Sequence, residues 1–203
     1  MFGEPKVGRV AARRAATTKD ILDAAWRLAD RDGLAGLSLR DVAAEVGMQP
    51  PSLYGYVSSK ADLYDRMFAA ANDELLELLT DLPGEPEAAF RTANQLLFDW
   101  CVSQPARFGL LFLRTVPGFV PSAQSYARAE VLYERMRTGL AALGVTSQRD
   151  LDLWSALHTG LMSQQIANDP GGRRWRDLLD DALTDFLARA RPPAPAPMTR
   201  GSS

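Results

Sequence analysis

Apolar positions along this chain recur at three- to four-residue spacing and do not alternate, so the pattern predicts helix throughout and no strand. Ile21, Leu22, Ala25, Leu28 and Ala29 form one stripe behind Thr17 and Thr18, either of which can cap a first helix that Gly33 stops. Ser38-Leu39-Arg40-Asp41 opens a second helix, with a hydroxyl at the N-cap and an acid three residues on. Val42, Ala43 and Val46 supply its apolar face, and the small Ala43 and Ala44 let another helix approach. Gly47 ends it, because only glycine enters the left-handed conformation at no steric cost. Met48 fits between this helix and the next. Pro50 and Pro51 suit the first turn of a third helix running to about Val57. Leu53 and Val57 would face inward, leaving Ser52, Tyr54, Gly55 and Tyr56 toward a partner.

Further along, Ser58 or Ser59 caps a fourth helix from Ala61 to about Leu82, stopped by Pro83-Gly84. Helices are then predicted over 86–103, 105–113, 122–143, 148–167 and 174–190, with 117–121 a loop and Asn168-Asp169-Pro170-Gly171-Gly172 a firm stop. The ninth helix carries Leu178, Leu179, Ala182, Leu183, Phe186 and Leu187, a stripe wider than one narrow seam requires. The expected fold is all-α: a three-helix head at 17–63 joined to a larger helical bundle at 64–191. A flexible basic arm, 1–16, would precede the head, and a disordered tail, 192–203, would follow the bundle.

Composition narrows the function. With 46% hydrophobic residues in 203, the chain can bury a sizeable core. No apolar run approaches the roughly 20 residues that span a bilayer. The opening residues lack a signal-peptide apolar stretch, so a cytoplasmic protein without a membrane partner is expected. Net charge is −2, but residues 1–60 hold nine Lys/Arg against seven Asp/Glu, and the first nineteen hold five against one. A basic end suits a phosphate partner; incidental charge on a disordered tail is the competing explanation. Cys101 lies in an apolar helical context and reads as a small buried hydrophobe rather than a redox sensor. One histidine, one cysteine and no HExxH, CxxC, GxGxxG, GxxxxGK or GxSxG give no metal site, no cofactor loop and no catalytic constellation. An enzyme is not expected.

The pair of helices around Gly47 has the form of a helix-turn-helix whose second member enters a DNA major groove. The block from Thr17 to Met67, TTKDILDAAWRLADRDGLAGLSLRDVAAEVGMQPPSLYGYVSSKADLYDRM, resembles the DNA-binding domain of the TetR family of transcriptional regulators. The shared features are the preceding helix, the Gly-Leu-x-x-Leu-Ser link, Gly47, Leu53-Tyr54, Tyr56-Val57 and Ser59-Lys60. Three positions depart. The family usually has His at the place of Tyr56, often Phe at Val57, and in many members a large or charged residue at Gly55; these bear on base reading rather than on the fold. The segment DLWSALHTGLMSQQIANDPGGRRW is similar to a TetR subgroup with a Trp-x-x-x-His-Gly signature, although Thr159 separates His158 from Gly160 here.

The resemblance implies a homodimeric, ligand-responsive regulator, a repressor released from a near-palindromic operator by a small apolar or aromatic effector. Base contacts are expected from Arg40, Pro50, Pro51, Ser52 and Tyr54, with a solvated or phosphate-bound Arg40 as the competing reading. Thr18, Ser38, Tyr56 and Lys60 are expected on phosphates; packing against the first helix is an equal account of Tyr56. Trp154, Leu161, Gln165, Leu179, Leu183 and Phe186 are expected at a subunit seam, unless the ninth helix is simply buried in its own subunit. Trp100, Phe108, Phe112, Tyr126, Trp154, His158 and Met162 are expected around the effector, a packed core histidine and a solid core being the competing readings. A helical small-molecule-binding or adaptor protein without operator-specific DNA binding is the alternative function.

Overall fold

The computed structural model describes residues 6–191, and among them are nine α-helices, one short 3-10 turn and no strand. In chain order these are α1 (Lys6–Asp32), α2 (Leu39–Glu45), α3 (Pro50–Leu53), α4 (Lys60–Leu78), α5 (Pro86–Ser103), α6 (Pro105–Phe112), α7 (Ala123–Ala142), α8 (Gln148–Asn168) and α9 (Leu179–Ala190). The 3-10 turn, Leu34–Gly36, separates α1 from α2. The expected tail and the first five residues of the expected arm lie outside the described residues.

Four boundaries differ from the sequence pattern, each for a visible reason. The fourth helix ends at Leu78 rather than near Leu82: the Leu79 amide and the Thr80 hydroxyl donate back to the Leu75 and Leu76 carbonyls and close it. The first helix opens at Lys6, so residues 6–16, expected to be a flexible arm, are helical. Their alanines and arginines are strong helix formers. Thr17 and Thr18 do not cap; their hydroxyls donate back to the carbonyls of Arg13 and Arg14, at 3.0 and 2.9 Å, as mid-helix hydroxyls do. Regular helix in α3 covers only Pro50–Leu53, and a turn carries the chain through Tyr56 to a still fully buried Val57. The ninth helix opens at Leu179 rather than near Arg174. Side chains at the end of α8 and just after it hold the intervening residues in turns: the Asp169 carboxylate accepts from the Arg174 amide, and Gln165 Oε1 accepts from the amides of Trp175 and Arg176.

The described residues pack into two compact units, one formed by residues up to 80 with 99–132, the other by 81–98 with 133–191. In the first, Ile21, Ala25, Leu28, Val42, Ala43, Leu53, Val57, Leu63, Met67 and Leu110 share one core, each 4% exposed or less. Each large aliphatic side chain buried there contributes about 1.5–3 kcal/mol. The Tyr64 hydroxyl donates to the Leu34 carbonyl, and the Phe119 ring lies 5.6 Å from Tyr64 and 6.4 Å from Phe68. Asp65 of α4 receives the start of α7: its carboxylate accepts from the Ser122 amide (2.7 Å) and from the hydroxyls of Ser122 (2.9 Å) and Ser125 (2.8 Å). Partial burial pushes the Asp65 carboxyl up, but these donors outweigh it and hold it below its ordinary range. Cys101 is fully buried, and burial pushes its thiol up, which keeps it out of thiolate chemistry.

The second unit is organised around Trp154, 1% exposed, whose ring meets Phe186 at 5.0 Å, His158 at 5.5 Å and Phe90 at 5.9 Å. Its indole N–H donates to Asn94 Oδ1 at 3.0 Å. Arg91 of α5 binds Glu87 on its own helix and donates to Thr184 of α9, while Arg191 reaches the same Glu87 at 2.7 Å. The two guanidinium groups hold the Glu87 carboxyl below its ordinary range.

Candidate nucleic-acid interface

The second and third helices of the head, α2 and α3, are fixed by local chemistry before any partner is considered. Ser38 caps α2: its hydroxyl oxygen accepts from the Asp41 amide at 3.1 Å and donates to the Asp41 carboxylate at 2.8 Å. Val42 and Ala43 turn fully inward. Gly47 takes φ 68°, and the Met48 amide then bonds back to the Ala43 carbonyl at 2.8 Å, closing the helix in a C-terminal cap. The proline pair starts α3 without an unsatisfied donor. Leu53, 1% exposed, anchors the short helix against the core.

That anchoring decides what faces outward. Pro51, Ser52 and Tyr54 are exposed, Tyr54 to 57%, while Pro50 is half-buried. Arg40 is exposed on α2. The five expected base-contact residues therefore lie on α2, α3 and the turn after it, with all but Pro50 open to solvent. A Cβ added at Gly55 would sit 3.3 Å from the Ser52 carbonyl oxygen, a tight contact that a shift of a few tenths of an ångström would relieve.

The four expected phosphate-contact residues are half-buried and each already has work within the chain. Thr18 and Ser38 make the local bonds described above. Lys60 Nζ donates to the Ala35 carbonyl at 2.9 Å and lies 5.6 Å over the Tyr64 ring, so it steadies the turn before α2. At the start of α4, Ser59 caps the Asp62 amide, and Asp62 accepts from the Ser58 amide and hydroxyl and from Arg66. A carboxylate thus already sits at this helix end. Burial pushes Asp62 up, and its donors hold it below the ordinary range nonetheless. Tyr56 packs beneath a residue the sequence pattern gave no role: the Arg14 guanidinium lies 4.9 Å over its ring and donates to the Gly55 carbonyl at 2.6 Å. The signal for Arg14 was the acid-free basic run from Lys6 to Lys19, legible as charge but not as helix.

Residues 21–67 match the family model described as bacterial regulatory proteins, tetR family. The HTH-type transcriptional regulator Rv1816 of Mycobacterium tuberculosis is 32% identical over 93 residues, 43% of this chain and 39% of that protein. The HTH-type transcriptional repressor DrrR1 of Streptomyces coeruleorubidus is 49% identical over 51 residues, 25% of this chain and 19% of that one. EthR of Mycolicibacterium smegmatis, an HTH-type transcriptional regulator, is 29% identical over 120 residues, 55% of each chain. The chain spans about two fifths of the length of the first of these curated relatives. Among solved structures, the putative regulatory protein SCO4313 matches with a TM-score of 0.73 at 23% identity, covering 91% of this chain and all of that one. A tetR-family transcriptional regulator from Streptomyces coelicolor matches at TM-score 0.65 and 21% identity, over 84% and 78%. The head thus carries the match to the tetR-family model, and the fold of the chain is shared with these solved structures.

Outside the head, the residues expected around an effector divide between the two units. Trp100, Phe108, Phe112 and Tyr126 belong to the first, where Phe108 is buried and Phe112 and Tyr126 are exposed. Trp154, His158 and Met162 belong to the second and are all buried. His158 stacks between Trp154 (5.5 Å) and Phe98 (6.2 Å), with the Asn94 backbone carbonyl beside its ring. Nε2 has no hydrogen-bond partner. Burial lowers the His158 pKa to about 4, against the smaller opposing effect of that carbonyl, so the imidazole is neutral near pH 7.

The six residues expected at a subunit seam are all buried within their own unit, Gln165 and Leu183 at 0% exposed. Gln165 is occupied in holding the turn before α9. From Leu153 to Ala167 the exposed positions of α8 are Leu153, Ala156, Leu157, Gly160, Gln164 and Ala167, none of them charged, while the exposed Arg149 and Asp152 stand in its first turns.

Among the described residues no helix is long and apolar enough to cross a membrane, and no three His, Cys, Asp or Glu side chains gather as a metal site.

Proposed function

We propose that the protein is a DNA-binding transcriptional regulator that acts as a homodimer, with α3 of each copy in one major-groove half-site of a near-palindromic operator. One observation carries this reading: the core-anchored α3 presents Pro51, Ser52 and Tyr54 to solvent, and Arg40 is exposed on the helix that precedes it. A helix buried through Leu53 alone, with polar and aromatic groups outward, is built to meet a partner rather than to fill a core. Repression is the sign we assign, as the name of the Streptomyces coeruleorubidus relative describes that protein. The cytoplasm, where operator DNA is reached, is the expected place of action.

Dimerisation is assigned to the outer face of α8 from Leu153 onward, where Leu153 and Leu157 are exposed to 41% and 38%, with Leu178, just before α9, exposed to 42%. A small apolar or aromatic effector is assigned to the second unit, against the Trp154–His158 stack; the unpartnered Nε2 supports an effector that donates a hydrogen bond. The same stack supports reading Trp154 and His158 as a subgroup signature. An effector acts only through unequal affinity for the DNA-competent and released states.

Selection of bound sites from random duplexes tests the reading. A recurring two-fold symmetric site is expected, with affinity that falls as salt rises. Recovery of no enriched sequence would sink it in favour of an adaptor without operator-specific binding.

A further inference from the structure

From Lys6 to Lys19 the chain holds five Lys/Arg and no Asp or Glu, and all of this stretch is α1. It lies ahead of residue 21, where the tetR-family match begins, and prolongs the helix by about four turns. Residues 8–16 are all exposed, Val10 to 70%. Helices in proteins are normally stabilised by burying one face; residues 8–16 bury none. Arg9 and Arg13, four residues apart, share a face, and neither makes an ion pair among the described residues. Like charges at that spacing repel, so within the chain the arrangement is only unfavourable. A polyanion reverses the sign.

The extension is also tied to the recognition element. Arg14, about 100° around the helix from Arg13, donates to the Gly55 carbonyl at 2.6 Å with its guanidinium over Tyr56. This one side chain sets the extension against the turn that ends α3.

We infer that the N-terminal extension of α1 is a second DNA-binding element, in which Arg9 and Arg13 contact phosphates flanking the bases that face α3 and Arg14 is a positioning residue. The inference rests on the DNA-binding reading above. Its occupant is duplex DNA, chosen by charge complementarity and by continuity with α3. Phosphate contacts release counterions and carry no sequence information, so their signature is salt dependence without selectivity.

The experiment uses the full chain and a duplex carrying the selected site. Arg9→Gln with Arg13→Gln should lower the slope of log affinity against log salt by about two, near 0.9 for each phosphate lost. Selected and random duplexes should weaken by the same factor, and thermal melting should match the parent. Arg14→Ala should weaken binding in the parent but have little further effect in the Arg9/Arg13 variant. An unchanged slope in the double variant, with site-selective binding by the parent, overturns the inference alone. Loss of selectivity rather than of slope overturns the phosphate role, and independent effects of Arg14 overturn its positioning role. If the parent binds no duplex, both readings fall. Binding of phosphatidylserine vesicles that the double variant loses, with duplex binding intact, assigns the patch to lipid instead and overturns the DNA inference.

Discussion

The Arg107 guanidinium lies 4.5 Å over the ring of Trp26, and its Nε donates to Glu74 at 3.1 Å, so one side chain of α6 joins α1 to α4. Arg107 is 13% exposed and Glu74 42%. Exposure of the carboxylate keeps the ion pair itself modest; the stacked, largely desolvated guanidinium adds more. Arg107→Ala should cost about 1–3 kcal/mol, through lost packing on Trp26 and a stranded Glu74. Arg107→Lys should recover only part, because an ammonium lacks the planar face. Urea unfolding midpoints measure both, and a wild-type midpoint for Arg107→Ala would contradict the argument.

Arg40 stands exposed on α2, the helix that precedes α3. A guanidinium can bond one guanine bidentately, a contact that gives roughly 1–3 kcal/mol of discrimination. Arg40→Ala is expected to relax preference at one operator position in a repeated site selection. A uniform loss across all sequences would instead place Arg40 on phosphate.

Gly160 separates a subunit seam from a merely solvated helix face. A Cβ added there meets nothing within 4 Å, so the lone chain tolerates a larger residue. Gly160→Arg should leave the folded chain intact by circular dichroism yet sediment as a monomer, since a two-fold contact would bury the new charge twice. A dimer that survives this change, with unaltered DNA affinity, moves the seam off α8.

His158 makes stability depend on acid. Its folded pKa, lowered to about 4, lies below the unfolded value near 6.5, so the unfolded chain takes up the proton first. This contribution is fully present above pH 6.5 and is lost as pH falls toward 4, by up to about 3 kcal/mol in all. His158→Phe should flatten the stability profile over that window, measured by denaturant unfolding at pH 7 and pH 4.5. Parallel profiles for the two proteins would show that other groups set the acid limb.

Much of the head could be read directly from the residues. Ser38, Asp41, Gly47, Pro50 and Pro51 act through bonds to their immediate neighbours, and local chemistry is what a linear pattern records. The apolar stripe of α9 was equally legible, but its direction was not: Leu179, Leu183 and Phe186 turn inward, and periodicity cannot tell a subunit's own core from a partner's. The helical start of α1 escaped because Thr17 and Thr18 resemble caps, and only the donated bonds to Arg13 and Arg14 show them to be interior. Arg14 on Gly55 and Arg107 on Trp26 join residues 41 and 81 positions apart, which no spacing rule reaches.

Asp65 also imposes an order in time. Its bonds to Ser122 and Ser125 close loops of 57 and 60 residues, whereas the caps of α2 and α4 close within three. Long loops lose more chain entropy before any contact rewards them, so the start of α7 docks onto a helix that has already formed. Ser122→Ala with Ser125→Ala should therefore speed unfolding and leave the refolding rate nearly unchanged in stopped-flow traces. A slowed refolding limb would place the clasp at the beginning instead. The carboxylate of Asp65 is then a late latch, fastening a segment whose arrival the head does not await.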